Sequence, residues 1–235
     1  MLVLAIEAAT ERASVALVED GSERASWRDD TSEDLCRRLA VEVGGVVARA
    51  NTAFPQLDLV VAGLGPGSFT SLRIGLATAK AVALAHNLSL VGVSSLAAMA
   101  WKMTADLHGL LCPALDARRG DLYAAAYRTS PAGLEQVIAE FVAKPDALAA
   151  ALVELGHPVT VFGQLPPAAV GQLEQIGGNR VTVLPARVLP DAVALAELGR
   201  RRFEAHGADD LPTLRPIYIR KSYAEEASDL DLGLR

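Results

Sequence analysis

Two apolar segments of this chain each lead into an acidic residue and are followed by the same order of predicted elements. The first covers residues 2–6 and ends at Glu7, and the second covers residues 110–115 and ends at Asp116. Near-continuous apolar runs of this length are typical of strands that are buried on both faces. Each run is followed by a predicted hairpin and then by alternating helices and strands. The sequence therefore predicts two copies of one mixed sheet covered by helices, with a cleft at their junction, where ligands commonly bind.

Apolar periodicity and turn signals give bounds for the other elements. In the first copy, Asp20-Gly21 marks a hairpin turn, a capping box at 31–34 starts a helix to about Asn51, and Ser94 or Ser95 caps a helix that ends at Met103. This copy also has predicted strands at 13–18, 23–27, 57–62 and 89–93 and a helix at 70–86. The second copy has predicted strands at 121–127, 134–141, 159–162 and 181–184 and helices at 144–155, 167–175 and 191–206. We predict a first domain at 1–104, a second at 105–210 and a polar tail at 211–235.

The composition permits a substantial core and argues against several classes of protein. Of the 235 residues, 51% are hydrophobic and 21% are charged, so global disorder is excluded. The net charge of -6 argues against a protein that holds nucleic acid alone and favours protein or small-molecule partners. Cys36 and Cys112 lack a CxxC spacing, so neither a disulfide framework nor a zinc ribbon is indicated. We expect a cytoplasmic protein, because the chain shows neither a signal-peptide pattern nor an apolar run of about 18 residues.

A glycine loop lies between a predicted strand and the helix that begins at Thr70. Gly63, Gly65 and Gly67 permit backbone angles that are closed to other residues, and N–H groups at a helix start attract anions. Hydroxyl groups that can cap the helix come from Ser68, Thr70 and Ser71. Two interpretations stay open: an anion-binding or backbone-docking loop, and a tight connection whose glycines are structural. A phosphate-binding P-loop is excluded, because the segment lacks the lysine of G-x-x-x-x-G-K-[ST].

The helix after this loop carries small residues at a spacing of four on two faces. They are Gly75, Ala79 and Ala83 on one face and Ala77, Ala81 and Ala85 on the other. Small side chains let other backbones approach closely, so the helix either lies between its own sheet and a neighbouring helix or joins a helix of a partner. The preceding helix contains Gly44-Gly45, each at a cost of about 1 kcal/mol relative to alanine, which close packing can offset.

Glu7 and Asp116 occupy equivalent positions in the two copies, each at the end of the first strand. Paired carboxylates at such positions can bind a metal ion and phosphate oxygens. An ATP-cleaving cleft of this type usually has a glycine two residues after each acid, and this chain has Ala9 and Arg118 there. We therefore expect the two acids to cap turns, with Glu7 accepting a hydrogen bond from Thr10. We predict no catalytic residue.

No metal site is predicted either. The histidines, His86, His108, His157 and His206, show no H-x-x-x-H spacing, so we expect each to be solvated or packed in the core. The basic runs at 118–119 and 200–202 are expected to be solvated, with contact to nucleic-acid phosphates as the alternative.

Five motifs resemble those of one protein family. They are LAIEAAT at 4–10 with SVAL at 14–17, GPGSFTSLRIG at 65–75, GVSSL at 92–96, DARRGDLY at 116–123 and PIYIR at 216–220. On these residues the chain resembles the TsaB (YeaZ) family, which belongs to the actin-like ATPase superfamily. The likeness spans nearly the whole chain, and its most specific part is 65–75. The resemblance implies an α/β fold of two tandem ribonuclease-H-like domains with mixed sheets flanked by helices.

The resemblance also implies a function. It implies a non-catalytic or weakly active partner subunit that supports a TsaD-like threonylcarbamoyltransferase in forming N6-threonylcarbamoyladenosine at position 37 of ANN-reading tRNAs. A TsaE-like ATPase would join the complex, and tRNA would be contacted only through it. No cofactor is expected on the lone chain, whereas ATP or ADP with Mg is a candidate ligand at a subunit junction.

The same resemblance implies site residues. The partner interface would consist of Leu35, Leu39, Val43, Leu72, Arg73, Leu76 and Lys80. A homodimer could form through the same helices. The candidate nucleotide or phosphate contacts are Glu7, Thr10, Gly65, Gly67, Ser68, Thr70, Asp116 and Arg118.

Three positions depart from the family pattern. Glu7 stands where Asp is usual, Ser71 where Gly is usual, and Asp30-Thr31 where His-Ser/Thr is usual. The longer acid weakens the case for nucleotide binding by the lone chain. The alternative function is an autonomous ATP-dependent phosphotransferase or ATPase of the same fold. A metallopeptidase is disfavoured, because the histidine pair that would hold its metal is absent.

Overall fold

Two five-stranded mixed sheets with the same strand order form the framework of the chain. The structure is a computed structural model that describes residues 1–31 and 34–220. The first sheet contains β1 (Leu2–Glu7), β2 (Ala13–Glu19), β3 (Ser22–Asp29), β4 (Leu59–Gly63) and β5 (Ser89–Val93). The second contains β6 (Leu110–Asp116), β7 (Leu122–Ser130), β8 (Gly133–Ala143), β9 (Val159–Gln164) and β10 (Val181–Arg187).

The strand orders are β3-β2-β1-β4-β5 and, read from the other edge, β8-β7-β6-β9-β10. In both sheets the central strand pairs antiparallel with the hairpin on one side and parallel with the next strand on the other. The predicted duplication and the predicted fold class are therefore confirmed.

Six helices lie on these sheets in the described part of the chain. They are α1 (Leu35–Arg49), α2 (Phe69–His86), α3 (Ser95–Met103), α4 (Pro145–Glu154), α5 (Pro167–Gly177) and α6 (Ala192–His206). In β1, Leu4 and Ile6 point to the core shared with α1 and α2, whereas Val3 and Ala5 point to the opposite face. Likewise, α4 and α5 cover one face of the second sheet. Each sheet thus has a second face that needs another helix.

That second face is covered by a helix from the other half of the chain. Helix α6 follows the last strand of the second sheet but packs on β1, β2, β4 and β5 of the first. Helix α3 follows the first sheet, and its Leu96 and Met99 pack with Leu111 and Phe162 of the second. The packing differs from the predicted boundaries at 104 and 210, because it groups α3 with the second unit and α6 with the first.

The exchanged helices also contact each other. Lys102 on α3 forms an ion pair with Asp191, whose carboxylate caps α6 by accepting a hydrogen bond from the N–H of Ala194 at 3.1 Å. The Arg201 guanidinium on α6 lies 4.5 Å from the centroid of the Trp101 ring on α3. These contacts join the two units on the side away from α1 and α2.

Most predicted elements are present, and their ends differ for local reasons. The strand predicted from residue 57 begins at Leu59, because Phe54–Gln56 forms a short 3-10 turn with a proline in it. Asp34 is the N-cap residue of α1, with φ 50° and no side-chain capping bond, while Ser32 and Glu33 of the predicted capping box lie outside the described residues. Ser94, one of the two predicted caps, accepts a hydrogen bond from the N–H of Ala97 and starts α3.

The segment after α6 returns to the first unit, where Leu211 and Leu214 pack against the core of α1 and α2. The remainder of the predicted polar tail, 221–235, lies outside the described residues. None of the helices in the described ranges has the length and apolar character needed to cross a membrane.

The close fit of α6 on the first sheet gives a stability prediction. A methyl group at Gly199 would overlap the side chain of Val61, which is fully buried on β4. Overpacking of this kind costs about 1–3 kcal/mol, more than the gain of about 0.5–1 kcal/mol from replacing a helical glycine by alanine. We expect Gly199→Ala to lower the free energy of unfolding in urea denaturation.

Gly171→Ala is the matched control, because Gly171 lies on exposed α5 with open space around it. That variant should be neutral or more stable by up to about 1 kcal/mol. Equal stabilisation by the two substitutions would contradict the tight packing of α6 on the first sheet.

Candidate functional site

The turn after β1 holds a fully buried carboxylate. Glu7 Oε1 accepts a hydrogen bond from the N–H of Ala9 at 2.7 Å, and Oε2 accepts one from the Ser95 hydroxyl at 2.8 Å. A methyl group at Gly63 would overlap this carboxylate, so the glycine lets β4 approach it. Both oxygens of Glu7 are therefore bonded to the chain itself.

The glycine loop after β4 packs against this turn. The N–H of Gly65 donates to the Ser95 hydroxyl at 3.2 Å, and its carbonyl accepts from the N–H of Ser95 at 2.8 Å. The N–H of Ser68 donates to the carbonyl of Ala9 at 2.7 Å, and a methyl group at Gly67 would overlap that carbonyl. Because these N–H groups already have partners, the geometry favours the tight connection over the anion-binding loop.

The hydroxyl groups of this segment serve the helix and the turn. Ser68 caps α2 by accepting from the N–H of Ser71 at 3.4 Å, and the two serine hydroxyls lie 3.0 Å apart. Thr10 bonds to Arg12, accepting from its N–H and donating to its carbonyl, both at 3.2 Å. The predicted hydrogen bond from Thr10 to Glu7 is therefore wrong. Thr70 is exposed at the start of α2.

The corresponding acid of the second unit has different surroundings. Asp116 Oδ1 accepts from the N–H of Arg118 at 2.8 Å, so it caps the turn as predicted. The turn is left-handed at Arg118, Arg119 and Gly120, with φ of 64°, 56° and 78°. The Arg118 guanidinium is mostly exposed and lies 3.8 Å from the Asp116 carboxylate. Asp116 is partly exposed where Glu7 is buried, so the two acids are not an equivalent pair.

Among residues 1–31 and 34–220, no group of three or more His, Cys, Asp or Glu side chains is placed to hold a metal ion.

The basic run at 200–202 is neutralised by acids within the chain. Its arginines bond to Glu197, Glu204 and Asp209. The three arginines at 200–202 therefore form ion pairs within the lone chain.

Five of the seven predicted interface residues are buried in the core of the first unit. These are Leu35, Leu39, Val43, Leu72 and Leu76, none more than 6% exposed. Their apolar stripe faces the chain's own sheet, so the prediction that they form a partner surface needs a correction. Arg73 is exposed and Lys80 is partly exposed.

The solvent faces of the two helices carry other apolar residues, which were not among the predicted site residues. Val41 on α1 is 71% exposed and Leu84 on α2 is 74% exposed. A usable signal was present, because both are large apolar residues outside the repeating stripe that faces the sheet. Exposed residues of α2 follow one another at spacings of three and four, at Thr70, Arg73, Ala77, Ala81 and Leu84.

An aromatic cluster lies at the start of α2. The Arg73 guanidinium lies 3.8 Å from the centroid of Phe69, and its Nε donates to the Tyr218 hydroxyl at 2.9 Å. The rings of Phe69 and Tyr218 are 5.2 Å apart. Phe69 and Tyr218 lie inside the family motifs but were not predicted as site residues. They are 149 positions apart in the sequence, and periodicity does not report a contact over that separation.

Burial raises the pKa of Glu7 from 4.5 to about 7, although the hydrogen bonds from Ser95 and Ala9 favour the charged form. A folded-state pKa above the unfolded value means that the folded chain binds the proton more tightly. The contribution of Glu7 to the free energy of unfolding is therefore largest at low pH and declines as pH rises from about 4.5 to about 7.

Glu7→Gln removes this ionisation. We expect the free energy of unfolding of the variant, relative to the parent, to rise between pH 5 and pH 8 by up to about 3 kcal/mol. Urea denaturation at several pH values measures it. Gly171→Ala, which changes no ionisable group, is the control and should keep a constant difference. A constant difference for Glu7→Gln as well would contradict the raised pKa.

Comparisons with known proteins agree with this fold and these motifs. The family model "TsaD: tRNA N6-adenosine threonylcarbamoyltransferase" matches residues 29–170. The tRNA threonylcarbamoyladenosine biosynthesis protein TsaB of Escherichia coli is 36% identical over 168 residues, which cover 68% of this chain and 71% of that protein. TsaB of Bacillus subtilis is 28% identical over 226 residues, 96% of each chain.

Among solved structures, YeaZ from Pseudomonas aeruginosa has the same fold, with a TM-score of 0.79 over 92% of this chain and 99% of that one, at 24% identity. The range matched by the family model contains the motifs at 65–75 and 116–123. The chain belongs to the TsaB (YeaZ) family.

Proposed function

We propose that this chain is a non-catalytic partner subunit in the biosynthesis of N6-threonylcarbamoyladenosine in tRNA. It binds a TsaD-like threonylcarbamoyltransferase through the exposed face of α1 and α2. The names of its relatives from Escherichia coli and Bacillus subtilis support the pathway. The observation that carries the role of partner subunit is the exposed apolar face of these two helices.

This face is unlike the rest of the described surface. The described surface as a whole exposes five large apolar side chains, and three of them, Val41, Phe69 and Leu84, lie on α1 and α2. A fourth, Tyr218, packs against Phe69 with the two rings tilted by 35°. Single exposed apolar residues are ordinary, but a group on two neighbouring helices marks an interaction surface. Ala77 and Ala81 lie between Arg73 and Leu84 and let a partner helix approach α2 closely.

The turn after β1 and the glycine loop after β4 support a role without catalysis by the lone chain. Glu7 is bonded on both oxygens within the core, and Gly67 is packed against the carbonyl of Ala9. A nucleotide phosphate would have to displace these contacts. In this proposal, the chemistry is supplied by the TsaD-like protein, and the autonomous ATPase is the less favoured alternative.

Other components join only in the assembly that we propose. ATP or ADP with Mg occupies a subunit junction, a TsaE-like ATPase binds the complex, and tRNA is contacted through the complex. Without the partner, the same face of α1 and α2 can pair two copies of this chain.

Leu84→Glu and Val41→Glu test the interface. Each puts a charge at the centre of an apolar contact, so each should weaken binding to a TsaD-like protein by at least about 2 kcal/mol, roughly 30-fold in Kd. Isothermal titration calorimetry measures the affinity. The control is Ile176→Glu, an exposed apolar residue on α5 of the second unit, which should bind like the parent.

Normal affinity of both α1–α2 variants would show that this face is not the interface. Size-exclusion chromatography of the same variants reports whether two copies pair through it. Calorimetry of the lone chain with Mg-ATP tests the alternative function, since tight binding with steady turnover would favour an autonomous ATPase.

A further inference from the structure

We propose that residues 217–220 form an interdomain strap, which holds the two units of the chain at one angle. The strap joins the glycine loop of the first unit to the turn after β6 in the second. This inference concerns the isolated chain and goes beyond the proposed partner function.

The strap is anchored firmly in the first unit. Before it, Asp209 accepts from the N–H of Gly92 at 2.7 Å and binds both terminal nitrogens of Arg202 at 2.7 and 2.6 Å. Leu211 and Leu214 then pack into the core under α1 and α2. The chain therefore reaches the strap from a fixed position, at the end of a segment held by both polar and apolar contacts.

The strap itself begins on the glycine loop. The N–H of Ile217 donates to the carbonyl of Leu64 at 2.8 Å, directly after β4. The hydroxyl of the next residue, Tyr218, accepts a hydrogen bond from Arg73 on α2 at 2.9 Å, and its ring packs against that of Phe69. Both contacts belong to the first unit.

Two residues later the chain contacts the second unit. Arg220 donates to the carbonyl of Ala117 at 3.1 Å and forms an ion pair with Asp121, and both partners flank the turn between β6 and β7. Lys144 also binds the Asp121 carboxylate, at 2.8 Å. The bond from Lys144, and after it that from Arg220, holds the pKa of Asp121 below its usual range, so this carboxylate is charged at neutral pH.

The short length of the strap makes it a constraint. Three residue steps from Ile217 to Arg220 span at most about 10 Å of extended chain. A rotation that separates the glycine loop from the turn after β6 must therefore break either the Arg220 contacts or the hydrogen bond from Ile217 to Leu64. The Arg220 side chain is 25% exposed and that of Asp121 is 13% exposed. A partly buried pair with a second hydrogen bond contributes more than an exposed surface pair.

A second polar bridge joins the same two units. Glu11, in the turn after β1, accepts from Gln164 at 2.8 Å and pairs with Arg187 at the end of β10. The exchanged helices α3 and α6 connect the units as well, through Lys102 and Asp191. The strap has to be tested against these other contacts, because they alone could hold the angle.

The experiment measures the angle directly in the full chain without any partner. Two spin labels are attached at Ala48→Cys on α1 and Gln175→Cys on α5, both exposed, in a Cys36→Ser background. The other cysteine, Cys112, is fully buried and stays unlabelled. Pulsed electron paramagnetic resonance then gives the distance distribution between the units.

Arg220→Ala should broaden this distribution and shift it to longer distances. It should also make the amide of Ile217 exchange with solvent about tenfold faster or more, since the strap loses its second anchor. Arg215→Ala is the matched control, an exposed arginine five residues earlier in the same segment, and should behave like the parent. If Arg220→Ala does not fold by circular dichroism, Arg220→Gln is measured in its place.

The proposal is overturned if the Arg220 variant and the Arg215 variant give the same distance distribution and the same exchange at Ile217. That result would show that the Glu11 bridge and the exchanged helices, and not the strap, hold the two units at their angle. Since no partner is present, neither outcome depends on the proposed binding of a TsaD-like protein.

Discussion

Each sheet of this chain is buried on one face by a helix that the other half of the chain supplies. Helix α6 covers Val3 and Ala5 of the first sheet, and α3 covers Leu111 and Phe162 of the second. Neither unit can therefore bury its own sheet from a contiguous stretch of sequence. The exchange also places Ser95, the first residue of α3, against Glu7 and the glycine loop, so the closed turn after β1 depends on it. Folding of the two units is coupled for the same reason, since removal of either helix exposes an apolar face of the other unit.

The order of strands and helices was accessible from the sequence, because it is written in local patterns. Continuous apolar runs marked β1 and β6, and Asp20-Gly21 marked the first hairpin, whose left-handed Asp20 has φ 47°. The partner sheet of α6 was not accessible. An apolar stripe shows that a helix has a buried face, but it contains no information about which sheet lies under it. The boundary predicted at 210 groups α6 with the second unit for this reason, although the bounds predicted for the helix itself were close.

In the candidate site, too, some features follow from local sequence patterns and others depend on distant residues. The turn-capping role of Asp116 follows from a local spacing, and the sequence predicted it correctly. The burial of Glu7 depends on Ser95, 88 positions away, and no local pattern reports that contact. The burial of five predicted interface residues has a different explanation. The family resemblance placed them on the apolar stripes of α1 and α2, and the apolar stripe of an amphipathic helix is the part that faces its own core. A partner can reach only apolar residues outside the stripe, such as Val41 and Leu84.

Tyr218 connects the two proposals physically. It binds Arg73 on the face proposed for the partner, and it is two residues from Arg220, which holds the second unit. A partner that moves Arg73 or Phe69 would change the free energy of the strap, and by linkage the angle between the units would change the affinity for that partner by the same factor. The size of the coupling is limited by the contacts at stake. One hydrogen bond to a charged group contributes about 1.5–3 kcal/mol, so the coupling would be on the order of tenfold to a hundredfold. Coupling of this size requires no movement inside either sheet, because the strap is the element that both contacts share.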